Sequence, residues 1–173
     1  MSIVERKGVV TFKGGPLTLI GPELKAGDKA PDFKLSDAGL KSVTLADSKG
    51  KTRLISVVPS IDTPVCDLQT KRFNQEASKL PAHVAVITVS MDLPFAQARW
   101  CGLASADKIQ MLSDYKEHAF GQAYGVLIKE LQLLSRSVFV IGPDDKVQYA
   151  EYVKEITQQP DYEKVLGFIK ARA

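Results

Sequence analysis

Cys66 and Cys101 are the only thiols in the chain, and Cys66 stands where a thiol can become a nucleophile. The stretch Pro59-Ser-Ile-Asp-Thr-Pro-Val-Cys-Asp-Leu-Gln-Thr-Lys-Arg72 follows a buried-strand signal, Leu54-Ile-Ser-Val-Val58, and leads into a helical pattern. Thr63 is a good N-cap, Pro64 falls at the first helical position, where its missing N–H costs nothing, and Cys66 comes at the third. The free backbone N–H groups and the positive end of the helix dipole at such a position favour a thiolate over a thiol. Pro59 ends the strand and shields one side of the loop.

The spacing Pro59-x-x-x-Thr63-x-x-Cys66 resembles the active-site motif of the peroxiredoxins. The longer runs Pro59 to Asn74 and Met91-Asp-Leu-Pro-Phe-Ala-Gln-Ala-Arg-Trp-Cys-Gly102 are similar to one branch of that family, the thiol peroxidases, and the resemblance covers nearly the whole chain. It implies that Cys66 attacks a hydroperoxide, with hydrogen peroxide and, by preference, organic (alkyl) hydroperoxides as substrates. It implies further that Cys101 resolves the resulting sulfenic acid as an intramolecular Cys66–Cys101 disulfide, the atypical two-cysteine pattern. Thioredoxin is then the expected reductant, antioxidant defence the expected role and a homodimer the expected assembly, with no cofactor required.

Peroxide reduction needs more than an ionised sulfur. A free cysteine is already a few per cent thiolate at pH 7, so full ionisation gains only about 30-fold, or ~2 kcal/mol. Donors must therefore converge on the peroxide oxygens. Thr63 can offer its hydroxyl, and Val65 and Cys66 their backbone N–H groups. Asp62 and Asp67 flank the thiol and would disfavour its charge if they faced it, so a fixed cation is required. Arg136, at the mouth of the strand Ser137 to Ile141, matches the family's active-site arginine, and a guanidinium stays charged and presents planar donors. Without the resemblance, Arg136 reads as a strand-end surface charge. Lys71 and Arg72 lie about two turns into the helix and face solvent.

Cys101 keeps two readings. It follows Phe95 and Ala98 at helical spacing, which suits simple packing, whereas the resemblance makes it the resolving thiol. With the second reading, the short helix ending at Trp100-Cys101-Gly102 is the one expected to loosen. Pro59, Ile61, Leu68 and Phe95 could wall a pocket for an organic hydroperoxide or be plain core. A dithiol carrier would want Cys-x-x-Cys, and position 69 is Gln69; a redox sensor that uses the disulfide as a switch remains a different class of function.

The elements that must position these residues follow the chain. Val9 to Lys13 and Leu17 to Ile20 form a β-hairpin, with Gly14-Gly15 supplying the positive φ angles of its turn, so that residues 1–20 are an N-terminal extension. Two short strands, Phe33 to Leu35 and Val43 to Leu45, surround a turn at Asp37 to Gly39. Strand (Leu54 to Val58), helix (Pro64 to Leu80), strand (Val84 to Ser90) and short helix (Pro94 to Cys101) make a βαβ unit whose continuous apolar strands suit a parallel, doubly covered sheet. After an apolar segment at Ile109 to Leu112 and a helix around Glu117 to Tyr124, strands Ser137 to Ile141 and Val147 to Val153 flank a hairpin turn, and a helix over Tyr162 to Arg172 closes the chain. This is an α/β, thioredoxin-like arrangement: a central mixed sheet flanked by helices.

At 173 residues and 45% hydrophobic content, one domain spanning 1–173 is expected. The net charge of +3 carries no nucleic-acid signature, and the densest basic cluster, Lys49, Lys51 and Arg53, reads as a solvated loop. Charges in Met1-Ser-Ile-Val-Glu-Arg-Lys7 argue against a secretory leader, and no run reaches membrane-spanning length, which leads to a cytoplasmic expectation. His83 and His118 lack ligand spacing with the cysteines, so no metal site is expected.

Overall fold

A computed structural model describes residues 3–173; Met1 and Ser2, which open the charged N-terminal stretch, lie outside the described residues. Strands β1 (Glu5–Phe12) and β2 (Gly15–Ile20) form the expected hairpin. Its turn, however, is Lys13-Gly14, at φ +49° and +81°, and Gly15 is already paired with Phe12 as the first residue of β2. The register explains the difference. Leu17 pairs with Val10 in a small core shared with Leu19, and a one-residue slip would turn both leucines to the opposite face.

Seven strands make the main sheet: β3 (Lys34–Ser36), β4 (Ser42–Thr44), β5 (Thr52–Val57), β6 (Val84–Ser90), β7 (Gln110–Ser113), β9 (Ser137–Ile141) and β10 (Val147–Tyr152). Their order is β10-β9-β5-β6-β7-β3-β4, with β5, β6 and β7 mutually parallel and β9 antiparallel to β5. The two-residue β8 (Leu127–Ile128), too short to register as a pattern, adds to the hairpin as a separate three-stranded sheet. Leu54, Val138 and Val140 point to one face, under Phe73 of α1 (Pro64–Ala77) and Val165, Leu166 and Ile169 of α4 (Tyr162–Lys170). Ile55, Val57, Phe139 and Ile141 point to the other, where Phe120 of α3 (Ala119–Ala123) stacks on Tyr124 at 4.3 Å between ring centres. Both faces are covered, as the unbroken apolar strands require. The thioredoxin-like arrangement is therefore present.

Three local expectations change. Helix α1 ends at Ala77, before Leu80, and α2 (Pro94–Ala104) runs through Gly102 and is capped by Ser105, φ +51°. Gly102 thus lies inside the helix and gives no reason for it to end at Cys101. Arg53 is not part of a solvated cluster: it is 0% exposed and donates to Ser48 Oγ (2.9 Å), Gly142 O (2.7 Å), Leu45 O (3.1 Å) and Asp145 Oδ1 (2.7 Å). Its sheet position on β5, between β6 and β9, places it inside despite its charged neighbours in sequence.

The N-terminal hairpin is seated by close backbone approach. A side chain at Gly21 (φ +106°) would meet Gln122 O at 1.9 Å, and one at Gly125 (φ +66°) would meet Pro22 O at 1.9 Å. Arg6 closes this corner, donating to the carbonyls of Gly21 and Gly125.

Asp114, buried at the start of α3, accepts from the N–H groups of Phe120 (3.1 Å) and Gly121 (2.8 Å). Burial pushes its carboxyl up to about 6 against the pull of those bonds. The folded pKa is raised, so between about pH 4 and 6 the folded state holds a proton that the unfolded state has lost, and this group's contribution declines as pH rises. The expected decline is about 3 kcal/mol over that window. Denaturant titrations of the parent and Asp114→Asn at both ends of the window check it: their stability difference should move by that amount, and parallel pH profiles would refute it.

Candidate active site

Cys66 sits in the first turn of α1, 0% exposed, in a cluster with Val58, Ile61, Trp100, Ala106 and Met111. Thr63 is the N-cap by backbone geometry (φ −103°, ψ 146°), its carbonyl accepting from Asp67 N at 2.9 Å, and Pro64 opens the helix as expected. The side chain behaves otherwise. Thr63 Oγ1 makes no cap hydrogen bond; it donates to Ser60 O at 3.0 Å. Its proton is thus committed to the loop, and the oxygen's lone pairs are what it offers. Among the described residues, the Val65 and Cys66 N–H groups have no carbonyl partner. Pro59, two residues past the end of β5, is buried.

Arg136 reaches this turn from the residue before β9. It is 2% exposed, not a surface charge, and donates Nη2 to Cys66 Sγ at 3.2 Å, Nη1 to Gln69 Oε1 at 2.8 Å and Nε to Ile156 O at 2.9 Å. Pairing of β5 with β9 sets Val57 opposite Ser137, which brings Arg136 to the end of β5 where the Cys66 loop begins. Gln69 is held in turn: its Nε2 donates to Ser56 Oγ on β5 at 2.8 Å. Sequence reasoning noticed Gln69 only as the residue that breaks a Cys-x-x-Cys. Its three-residue spacing from Cys66, which puts both on one helix face, was the available signal.

The flanking carboxylates are engaged elsewhere. Asp67 accepts from Trp100 Nε1 (2.8 Å) and Lys71 Nζ (2.9 Å); burial pushes its carboxyl up, but these two bonds outweigh that and hold it below the ordinary range. Asp62 is exposed, 3.9 Å from Arg99. Lys71 lies on the surface as expected.

A second residue that the sequence reading passed over, Asp92, pins the loop. Its carboxylate accepts from Ser60 Oγ (2.7 Å), Ile61 N (2.9 Å) and Ser90 Oγ (2.6 Å), so the connection after β6 holds the residues that precede Thr63. An acidic side chain just past the carboxyl end of a parallel strand was the signal. Leu68 and Phe95, 58% and 65% exposed, do not close a pocket over the thiol; Ile61 is core.

Cys101, on α2, is partly buried against the Cys66 cluster, and both thiols are free. Burial pushes the Cys101 thiol up. The Trp100–Asp67 bond ties α2 to α1 between residues adjacent to the two cysteines. Among the described residues, no group of His, Cys, Asp and Glu could hold a metal, and no helix is long and apolar enough to cross a membrane.

The site has a simple dependence. Gln69→Leu should strand Ser56 Oγ and the Arg136 Nη1 donor in the interior, costing about 1–3 kcal/mol for each group left unsatisfied. Chemical denaturation of that variant measures this, and a loss well below that range would show that Gln69 does not satisfy them.

The redoxin family profile matches residues 25–166. A thiol peroxidase of Bacillus subtilis is 59% identical over 162 residues, covering 94% of this chain and 96% of the relative, and one of Staphylococcus aureus is 53% identical over 161 residues, covering 93% and 97%. Among solved structures, a peroxiredoxin-like protein from Aquifex aeolicus superposes with a TM-score of 0.90 at 39% identity over the whole of both chains. On this agreement of profile, relatives and fold, the chain belongs to the redoxin family, in its thiol peroxidase branch, and is a thiol-dependent peroxidase.

Proposed function

We propose that Cys66 is the peroxide-reducing thiol, acting on hydrogen peroxide and alkyl hydroperoxides. The observation that carries this reading is the contact of Arg136 Nη2 with Cys66 Sγ at 3.2 Å in a buried helix start. The thiolate attacks the peroxide oxygen that bears the proton; the S–O bond forms as the O–O bond breaks, leaving Cys66 as sulfenic acid and releasing an alkoxide or hydroxide that takes up a proton. Thr63 Oγ1, its own proton held by Ser60 O, accepts the peroxide O–H and aims that oxygen at sulfur. Arg136 and the Val65 and Cys66 N–H groups donate to the oxygens as charge moves onto them. Pro59 walls the loop from the strand side.

Cys101 then attacks the Cys66 sulfur as a thiolate. An S–S bond forms, the S–O bond breaks, and the hydroxide leaves as water. Cys66 is buried and bonded to Arg136, and the Trp100–Asp67 bond holds α2 to α1, so this step requires local opening. A thioredoxin dithiol reduces the disulfide and is itself oxidised to one. The reading places the enzyme in the cytoplasm, in antioxidant defence, as a homodimer. Exposed Leu68, Leu93, Phe95 and Leu103, on α1, α2 and the turn before α2, are apolar surface that a second copy could cover.

One equivalent of an alkyl hydroperoxide added to the reduced protein tests the scheme. Both thiols should vanish, the mass fall by two hydrogens and Trp100 fluorescence change; loss of one thiol with a gain of one oxygen would leave Cys101 as packing. Arg136→Met should lower the rate constant for peroxide about 10² to 10³-fold in stopped flow, the cost of removing a transition-state donor. Because burial raises the Cys101 thiol, disulfide formation should accelerate with pH, about tenfold per unit until that thiol titrates. A pH-independent resolving rate would exclude Cys101 thiolate attack as the limiting event.

A further inference from the structure

The N-terminal hairpin lies in its own sheet, more than forty residues before Cys66 in sequence, yet it is wired to the arginine at the thiol. Arg136 has three hydrogen-bonded anchors, and one of them, the carbonyl of Ile156, belongs to the segment between β10 and α4. The β9–β10 pairing reaches only its first residue, Val153, whose N–H donates to Arg136 O at 3.0 Å; beyond that, regular strand and helix pairing does not hold the segment. The hairpin does. Thr11 N donates to Lys154 O at 2.7 Å, and Ile156 N donates to Thr11 O at 2.9 Å, so Thr11 and Glu155 bridge as parallel strands do. The Ile156 side chain is buried among Val10, Leu17 and Leu19 of the hairpin and Ile128.

Glu155 locks this junction. Its Oε1 accepts from Thr11 Oγ1 (3.1 Å) and Gly14 N (2.9 Å), and its Oε2 from Thr157 N (2.9 Å) and Thr157 Oγ1 (2.6 Å). One carboxylate thereby joins the hairpin turn to the residues on both sides of Ile156. Those bonds hold the Glu155 carboxyl down at about 2, so it is ionised throughout the working range. Ile156 is gripped on one side by the hairpin, through its side chain and N–H, and presents its carbonyl on the other to Arg136 Nε.

We propose that the hairpin is a positioning element of the peroxide site, in which Glu155 and Thr11 fix the Ile156 carbonyl and that carbonyl sets the Arg136 guanidinium against Cys66. Neither residue touches the reacting atoms; both act through Arg136. The proposal rests on the role assigned above to Arg136. A guanidinium free to turn about its Nε loses the aim of both Nη donors, and displacements of about 1 Å at a reacting centre can cost about 10²-fold.

The test is Glu155→Ala in the full chain, with Glu155→Gln as the conservative variant that keeps a carbonyl acceptor. The readouts are the stopped-flow rate constant with an alkyl hydroperoxide and the Arg136 Nε–H resonance in ¹⁵N-labelled protein. Glu155→Ala should shift that resonance and slow peroxide reduction about 10 to 100-fold, and Glu155→Gln should recover most of both. Thr11→Val, which removes one bond to Glu155 and keeps the backbone pairing, should lie between the parent and Glu155→Ala. A folded Glu155→Ala protein with an unmoved resonance and a parental rate overturns the proposal, leaving the hairpin a purely stabilising element. Arg136→Met separates the two ideas. If it leaves the rate unchanged, the catalytic reading of Arg136 fails, and the resonance in Glu155→Ala still decides whether the hairpin positions the side chain.

Discussion

A guanidinium that cannot be deprotonated is enclosed almost completely at the end of the central strands, and a buried charge is tolerated only where its donors are met. Arg136 meets this demand with a sulfur and a side-chain amide from the first turns of α1 and a main-chain carbonyl from the segment between β10 and α4. Each partner is held in turn: Cys66 by the start of α1, Gln69 by Ser56, Ile156 by the hairpin. Removing any one leaves a charged donor without its acceptor, so the constraint works in both directions. In the reaction proposed above the thiol needs the cation, and the cation needs a fold that delivers three acceptors to it.

The strand pair β5–β9 carries two such groups. Arg53 lies opposite Ile141 at one end, and Arg136 precedes Ser137, opposite Val57, at the other. Arg53 is satisfied by three oxygens of neighbouring loops and the carboxylate of Asp145, and it ties the turn before β5 to the β9–β10 hairpin. Among the described residues Arg136 has no carboxylate partner; a sulfur takes that place. The contrast is chemical. A guanidinium neutralised by a carboxylate is structural, whereas one facing a sulfur retains positive character for whatever negative charge gathers there.

The two cysteines sit in one cluster but on helices joined by a bond between their neighbours, Asp67 and Trp100. In the reaction proposed above, this arrangement favours the first step over the second: Cys66 is held against Arg136, while burial pushes the Cys101 thiol up. Asp92 reinforces the bias by anchoring Ser60 and Ile61 to the segment that leads into α2. In the reaction proposed above, the same contacts that prepare the peroxide site must yield before a disulfide can form, which separates the steps in time and exposes the sulfenic acid to further oxidation.

What the amino-acid sequence determined by itself was local. Thr63-Pro64 starts a helix because one residue caps by its backbone and the other lacks the N–H that would go unused, and that places Cys66 among free N–H groups. The apolar runs of β5, β6 and β9 specified buried strands, and Gly142 to Lys146 a turn, because side-chain period and turn chemistry are properties of neighbours in sequence. Tertiary structure decided the rest. The burial of Arg53 and Arg136 depends on which strands pair and in what register, and neither can be read from a charge beside other polar residues. The direction of the Thr63 proton depends on where the Ser60 carbonyl points, and the parts of Gln69 and Ile156 depend on residues about 70 and 20 positions from Arg136 meeting in space. Hydrogen bonds between distant segments are directional and short-ranged, so their partners exist only once the sheet has set the distances.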